Sequence, residues 1–312
     1  MNTKDDISNA HNRIKSHIHA TPVLTSTYIN QLSGASVFFK CENFQKGGSY
    51  KLRGALNASL SLQKEKLERG LATHSSGNFA QAVAISAKLL GTKAHIVMPE
   101  NAPAIKQKAT IDYGAKVYFC EPTLDAREST LEDVIKETGA SKLHPSNDIP
   151  VIIGQGTCAY ELIQQVENLD FIISPVGGGG VAAGSILACK YFSSQTTVIG
   201  AEPKNADDAY RSLIAGEIQA SINPDTIADG LRTQLGDHNF PIIKDGIESI
   251  ILVTEDEIIS AMKTVWNRMK IIIEPSSATT LAAVIKSKSK FTGKRVGLII
   301  TGGNVDLANL PF

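Results

Sequence analysis

The 312-residue chain has 42% hydrophobic, 20% charged and 6% aromatic residues, a globular composition that excludes disordered, fibrous and membrane-embedded classes. Its 31 Lys and Arg residues balance 31 Asp and Glu residues, so no overall charge attracts nucleic acid or a membrane surface. The first 24 residues contain no signal-peptide core, and no apolar run approaches the ~18 residues of a membrane helix. We therefore expect a cytoplasmic protein, with reduced and mostly buried thiols at Cys41, Cys120, Cys158 and Cys189.

Short β-branched runs alternate with helical stretches along nearly the whole chain. Strands are expected at 36–42, 73–76, 94–99, 116–121, 171–177, 197–203, 249–254 and 295–301. Helices are expected from about Lys51, over 77–91, up to Tyr113 and over 125–139. This alternation predicts an α/β fold built from βαβ units with mainly parallel sheets, because parallel neighbours need a crossover and a helix is the usual one.

The segment from about Leu71 to His144 has a strand-helix set of its own. We therefore predict a small mobile domain at 69–147, inserted in a large domain made of residues 1–68 and 148–312.

The stretch QKGGSYKLRGA places a cation at the start of a helix. Ser49 is a suitable N-cap, and Leu52, Ala55 and Leu56 follow at helical spacing. Lys51 then lies in the first turn, where the helix dipole disfavours a positive charge and lowers the pKa of the amine. A lysine nucleophile requires such a lowered pKa, although a solvated surface lysine would fit the same pattern.

Two further turns offer sites for anions. In HSSGNFAQA, Gly77 permits a turn before a helix whose first NH groups can bind an anion, although a plain structural turn is an equal alternative. In PVGGGG, the glycines from Gly177 to Gly180 follow an apolar strand and let the backbone wrap closely round a phosphate. The same run also matches a dinucleotide fingerprint, with Glu202 at the position of a ribose-binding acid. The run alone therefore does not decide whether the phosphate belongs to a dinucleotide or to another ligand.

Three more motifs follow in the second half of the chain. AEPKNADD sets Glu202 and Asp208 around a turn, and hard oxygen ligands of this kind suit Mg2+ or Ca2+, although helix capping is an alternative. Glu274 precedes a helix that starts with proline, where charge complementarity to the helix explains it. TGGN ends a strand at the edge where ligands of open α/β sheets bind, and Thr301 offers a neutral hydroxyl there.

Together these motifs resemble those of the fold-type II pyridoxal phosphate enzymes, the tryptophan synthase β-like fold, in the branch of serine racemases and serine/threonine dehydratases. The resemblance covers essentially the whole chain, through FQKGGSYKLRGA, SSGNFAQA, GQGT, PVGGGG, AEPKNADDAY, TIADGLRT, TEDEI, IEPSSA and TGGNVDL, in family order. It implies two parallel-sheet α/β domains with the active site between them, pyridoxal 5'-phosphate as cofactor and a homodimer.

The resemblance also implies roles for individual residues. Lys51 would form the Schiff base with the cofactor and then remove the α-proton of the substrate as general base. The phosphate would lie on Gly177, Gly178, Gly179 and Gly180; Asn78 would hold the ring 3-hydroxyl and Thr301 would face the pyridine nitrogen. The substrate carboxylate would bind the turn formed by Ser75, Ser76, Gly77, Asn78 and Phe79. The divalent cation, Mg2+ or alternatively Ca2+ or Mn2+, would be held by Glu202, the Ala206 carbonyl and Asp208.

The family's chemistry would give racemisation when Ser76 returns a proton to the opposite face, or loss of water to yield a 2-oxo acid and ammonia. Two departures affect the expected substrate. Gly47 stands where a larger residue is usual and is expected to loosen the loop before Lys51, and Phe79 stands where histidine is common.

We expect a serine racemase with serine, and also threonine, dehydratase activity. The main alternative is a 3-hydroxyaspartate dehydratase or aspartate racemase, with Arg127 binding the second carboxylate. β-Replacement on O-acetylserine, an NAD-dependent dehydrogenase and a non-catalytic ligand sensor are less favoured. The dehydrogenase leaves Lys51, SSGN and TGGN unexplained.

Overall fold

The computed structural model describes residues 3–102 and 104–312. Its strands are β1 (Val23–Leu24), β2 (Ser36–Cys41), β3 (Leu71–His74), β4 (Ala94–Pro99), β5 (Lys116–Cys120), β6 (Ser141–Lys142), β7 (Phe171–Pro175), β8 (Thr197–Pro203), β9 (Ile247–Val253) and β10 (Arg295–Ile300). Its helices are α1 (Lys4–Ile14), α2 (Thr27–Ser33), α3 (Lys51–Leu60), α4 (Lys64–Glu68), α5 (Asn78–Leu89), α6 (Ala104–Asp112), α7 (Leu124–Thr138), α8 (Ile149–Gln165), α9 (Gly180–Phe192), α10 (Asp208–Ala215), α11 (Phe240–Gly246), α12 (Glu255–Met269), α13 (Pro275–Lys286) and α14 (Lys288–Phe291).

The strands form two separate sheets. The larger has the order β1-β2-β10-β7-β8-β9, and the smaller has the order β5-β4-β3-β6. β1 pairs antiparallel with β2, and the other neighbouring strands are parallel. The prediction of an α/β fold with mainly parallel sheets is therefore confirmed.

Helices cover the faces of the larger sheet, which explains its nearly continuous apolar strands. One buried cluster joins residues of α8 and α9, such as Leu162 and Ala182, to the sheet. A second joins residues of α13, such as Leu281, to β10 and β2. Because both faces are buried, the carboxyl ends of the strands are left as the place where polar side chains can gather.

The strands of the smaller sheet all come from residues 71–142. This agrees with a separate folding unit in that segment, while the domain limits 69–147 and the mobility of that unit stay a prediction. Among the described residues no helix is long and apolar enough to cross a membrane. The four cysteines are buried and free.

The expected N-cap at Ser49 is wrong. Helix α3 starts at Lys51 with Tyr50 as its N-cap, while Ser49 is extended and bridges to Gly302. Ser49 takes the extended conformation because its bridge connects the segment before Lys51 to the residues just after β10. This is a long-range contact that local helix propensity does not reveal.

Candidate active site

One cavity of about 480 Å³ brings the predicted cofactor and substrate residues together. The part of the chain that forms the smaller sheet contributes the turn from Ser75 to Phe79 and Arg127. The part that forms the larger sheet contributes Lys51, the run from Gly177 to Gly180 and Thr301. The cavity thus lies between the two sheets, at the ends of several parallel strands.

Lys51 lies in this cavity at the start of α3. Its Nζ donates a hydrogen bond to the Pro145 carbonyl at 2.8 Å. The side chain keeps some surface in the cavity, but its amine is enclosed by protein, and this burial lowers the pKa of Lys51 to about 7, with Glu274 opposing the shift. From the sequence we expected the helix dipole to lower this pKa, whereas burial is its main cause. At neutral pH a large share of the amine is therefore unprotonated.

A buried ion network fixes the helix that carries Lys51. Arg53 donates to Glu42 Oε2 at 2.7 Å and to Glu161 Oε2 at 2.7 Å, and Lys40 Nζ lies 2.7 Å from the same Glu161 oxygen. The guanidinium of Arg53 is fully buried. Removing one member would leave an uncompensated buried charge, which typically costs about 3–5 kcal/mol.

The backbone from Gly177 to Gly180 packs so closely against neighbouring residues that a Cβ would clash at each position. A Cβ at Gly178 would lie 2.5 Å from Ser146 Oγ, and one at Gly180 would lie 2.3 Å from Gln155 Oε1. Gly179 has φ +79°, which L side chains rarely adopt. Since α9 begins at Gly180, its free NH groups can receive an anion in this cradle. The cradle fits the phosphate of the cofactor that the sequence suggested.

The SSGN turn leads directly into α5. Asn78 is the first residue of α5 and lies in the cavity wall, as do Ser75, Ser76 and Gly77. Phe79 is buried, with its ring centroid 5.9 Å from Lys51 Nζ. Phe79 therefore supplies an apolar wall that helps to keep the amine dry.

Thr301 is buried at the end of β10, and Ser277 is its hydrogen-bond partner. Their hydroxyl oxygens lie 3.0 Å apart. Ser277 Oγ also accepts from the Gly302 NH at 2.9 Å. Thr301 is thus a neutral hydroxyl whose orientation the protein sets.

Arg127 and His74 lie at the rim of the cavity. Arg127 is half-buried and donates to the Thr123 carbonyl of its own helix at 3.2 Å. Burial, and then Arg127, lower the pKa of His74 to about 4, so this imidazole is neutral at physiological pH. Lys106 also lines the cavity and pairs with Asp229, a contact that sequence reasoning missed.

The fold requires glycine at position 47 for a reason that the sequence did not reveal. Gly47 has φ +73°, and a Cβ there would lie 2.6 Å from Ile85 Cδ1. Gly48 likewise has φ +70°. The loop before Lys51 is thus a tight turn against α5, which replaces the expectation that Gly47 loosens it.

The predicted metal ligands lie outside the cavity and close to one another. Glu202 accepts from the NH groups of Ala209 and Tyr210 at 2.9 Å each. Both carboxylate oxygens of Asp208 are buried without a well-formed hydrogen bond, although the Ser221 hydroxyl lies close enough to lower the pKa of Asp208. Burial raises the pKa of Glu202 to about 8 and that of Asp208 to about 6.

This donor set fits a cation, because two buried carboxylates lie close together and both Asp208 oxygens lack a well-formed hydrogen bond, so the pair needs a positive partner. Within residues 3–102 and 104–312 there is no group of three or more His, Cys, Asp or Glu side chains placed to hold a metal. The set would therefore depend on the Ala206 carbonyl and water as additional ligands.

Comparisons with known proteins extend over nearly the whole chain. The family profile described as pyridoxal-phosphate dependent enzyme matches residues 14–302. Serine racemase of Dictyostelium discoideum is 53% identical over 99% of this chain and 96% of that protein. Its crystal structure superposes with a TM-score of 0.94, covering 98% of this chain and 99% of that one.

Two other relatives carry different names. The beta-hydroxyaspartate dehydratase of Paracoccus denitrificans (strain Pd 1222) is 47% identical over 99% of this chain and 98% of that protein. The crystal structure of the T.th. threonine deaminase is 40% identical with a TM-score of 0.93, covering 98% of this chain and 99% of that one.

Proposed function

Because the chain belongs to the family of pyridoxal-phosphate dependent enzymes, we propose that it is a serine racemase that also dehydrates serine and threonine. The observation that carries this proposal is a buried lysine amine with a pKa of about 7 in a cavity that also contains the Ser76 turn. The likeness to a serine racemase and to a threonine deaminase supports the two activities.

The residues of the cavity have the chemistry that the cofactor requires. Lys51 would hold it covalently, the run from Gly177 to Gly180 would bind its phosphate, Asn78 would contact its ring hydroxyl and Thr301 its ring nitrogen. When bound, pyridoxal phosphate supplies an electron sink that makes the α-proton of an amino acid acidic. Thr301 would offer the ring nitrogen a neutral hydroxyl instead of a carboxylate, so this chain would not hold a proton on that nitrogen.

Lys51 and Ser76 would move the protons. The Lys51 amine, held by the Pro145 carbonyl, removes the α-proton from one face of the substrate. Ser76 and its neighbours in the turn bind the substrate carboxylate, and the Ser76 hydroxyl returns a proton to the opposite face. When the β-hydroxyl leaves instead, the products are a 2-oxo acid and ammonia.

The test is to incubate the purified protein with L-serine, pyridoxal phosphate and Mg2+, and to follow D-serine by chiral chromatography and pyruvate by a coupled assay. We expect both products from the wild type and neither from Lys51→Ala. Turnover of serine by Lys51→Ala at the wild-type rate would exclude the proposed role of Lys51.

We also propose that Glu202, the Ala206 carbonyl and Asp208 bind a divalent cation, with Mg2+ as the first candidate and Ca2+ or Mn2+ as alternatives. The orphaned Asp208 oxygens support this. Bound Mg2+ would neutralise carboxylates that burial otherwise drives towards protonation.

A homodimer in the cytoplasm is the assembly and location that we propose. Phe44 and Ile272 support an interface, because both are more than 40% exposed and Asn43 Nδ2 joins their segments through the Ile272 carbonyl at 3.0 Å. Light scattering on the purified protein should give twice the chain mass of 33.3 kDa. A monomer mass at micromolar concentration would contradict the dimer.

A second candidate is dehydration of 3-hydroxyaspartate or racemisation of aspartate. Arg127 and Lys106 in the cavity wall could meet a second carboxylate, and the likeness to the Paracoccus dehydratase favours this candidate. If it holds, Arg127→Ala should lower kcat/KM for 3-hydroxyaspartate at least tenfold more than for serine, since one charge-assisted hydrogen bond is worth about 1.5–3 kcal/mol.

A further inference from the structure

The carboxamide of Asn78 is held at both ends by side chains from the other part of the chain. Asn78 Nδ2 donates to Glu274 Oε1 and Oε2, each at 3.0 Å. Asn304 Nδ2 donates to Asn78 Oδ1 at 2.9 Å and to the Gly47 carbonyl at 2.8 Å. The four groups form one hydrogen-bonded row from a backbone carbonyl to a carboxylate.

The row has only one consistent direction. The Gly47 carbonyl can only accept, so Asn304 must present its NH2 group there, and its second hydrogen goes to Asn78 Oδ1. Because Asn78 Oδ1 accepts from Asn304, the NH2 group of Asn78 must face Glu274. When one hydrogen of Asn78 Nδ2 is shared by the two Glu274 oxygens, which lie at the same distance of 3.0 Å, the second hydrogen is left for the cavity.

Two glycines make room for this row. A Cβ at Gly302 would lie 2.8 Å from Glu274 Oε1, and a Cβ at Gly48 would lie 2.5 Å from Asn304 Oδ1. Both glycines therefore let the two side chains reach Asn78. The TGGN motif thus contains, besides Thr301, a glycine that clears the path and an asparagine that uses it.

Glu274 is more than a helix-start residue. It is 4% exposed and lies in the cavity wall, and burial raises its pKa to about 7. Glu274 also opposes the lowering of the Lys51 pKa, so the two groups interact electrostatically. A buried carboxylate that is charged only in part at neutral pH needs the donors that Asn78 supplies.

We propose that Glu274 and Asn304 are positioning residues that fix the Asn78 amide with its NH2 group towards the cavity, as the donor to an anionic ring oxygen of the bound cofactor. The inference rests on the proposed function, in which Asn78 contacts the ring hydroxyl. Without the row, the Asn78 amide could rotate and present Oδ1, an acceptor, to that oxygen.

Asn304→Asp is the sharpest test, because it keeps the size of the side chain and removes both donated hydrogen bonds. We expect pyridoxal phosphate to bind about 10- to 100-fold more weakly, since leaving buried polar groups unsatisfied costs about 1–3 kcal/mol. The visible absorption band of the residual bound cofactor should also shift, because its ring oxygen loses a donor. The matched control is Asn12→Asp, at an exposed asparagine of α1.

Glu274→Gln separates orientation from charge. Its amide oxygen can still accept from Asn78, so we expect cofactor binding within about threefold of the wild type. Loss of the carboxylate should move the pH midpoint of cofactor attachment to Lys51 to lower pH, because Glu274 holds the Lys51 pKa up. Glu274→Leu, which cannot accept, should weaken binding as Asn304→Asp does.

Wild-type affinity and an unchanged absorption band in folded Asn304→Asp would overturn the inference and leave the proposed function standing. Failure of the wild-type protein to bind pyridoxal phosphate would overturn both. Circular dichroism of each cofactor-free variant establishes that it is folded, so weaker binding with native spectra supports the positioning role.

Discussion

The low pKa of Lys51 has a measurable consequence for stability. The pKa of Lys51 falls from its ordinary value of 10.5, taken for the unfolded chain, to about 7 in the folded protein. Between these values the unfolded chain binds more protons than the folded one, so the free energy of unfolding rises with pH by about 1.36 kcal/mol per unit. Below about pH 7 both states are protonated, so the pH dependence ends there and the burial of the charged amine destabilises the fold in full.

From pH 7.5 to 9.5 this group alone therefore adds up to about 2.7 kcal/mol. The figure is an upper limit, because the Lys51 side chain keeps some surface in the cavity and water screens part of the effect. Other buried groups also titrate in this range; Glu202, with a pKa raised to about 8, changes stability in the opposite direction. A comparison with Lys51→Met cancels these common contributions.

The assay is urea unfolding of cofactor-free wild type and Lys51→Met at both pH values. We expect wild type to gain up to about 2.7 kcal/mol relative to Lys51→Met as the pH rises. A difference between the two proteins that does not change with pH would refute a lowered Lys51 pKa. It would also remove the physical basis for this lysine as a base near neutrality.

Three further predictions concern other parts of the molecule. Ser76→Ala should lower D-serine formation about 100-fold or more while pyruvate formation stays within a few fold, since loss of a general acid costs that much; equal losses of both products would contradict its separate role. Mg2+ should raise the melting temperature more at pH 8 than at pH 6, because Glu202 and Asp208 ionise between these values, and Asp208→Asn should abolish the effect; an equal Mg2+ effect in Asp208→Asn would place the ion elsewhere. Gly47→Ala and Gly91→Ala both place a side chain at positive φ, but only the new Cβ at position 47 would clash, with Ile85 Cδ1 at 2.6 Å. By thermal unfolding we expect Gly91→Ala to lose about 1–2 kcal/mol of stability from backbone strain alone, and Gly47→Ala to lose more. Equal losses of stability would show that Ile85 moves aside without cost.

The fold could be predicted because its signals are local. Apolar runs such as RVGLII mark strands that are covered on both faces, and glycines after FIISP mark the turn into α9. The alternation of the two patterns then allows few topologies. The order of strands within each sheet, with β10 between β2 and β7, is a long-range property that no local pattern encodes.

The site could be predicted in part for the same reason. Lys51 and the glycine run stand out because the residue types conflict with an ordinary helix start. The hydrogen bond from the Lys51 amine to the Pro145 carbonyl could not be predicted from the sequence, because every residue has a backbone carbonyl. Glu274 and Asn304 were visible in their motifs, but their convergence on Asn78 depends on how the two sheets pack.

The reaction of L-serine in D2O with the cofactor-loaded protein tests the roles of Lys51 and Ser76 together, with D-serine analysed by chiral chromatography and mass spectrometry. We expect D-serine that carries deuterium at Cα, because Lys51 removes the proton on one face and Ser76 delivers a solvent-derived deuteron on the other. D-serine that retains the original proton would contradict the two-residue mechanism, and the absence of D-serine would contradict racemisation itself.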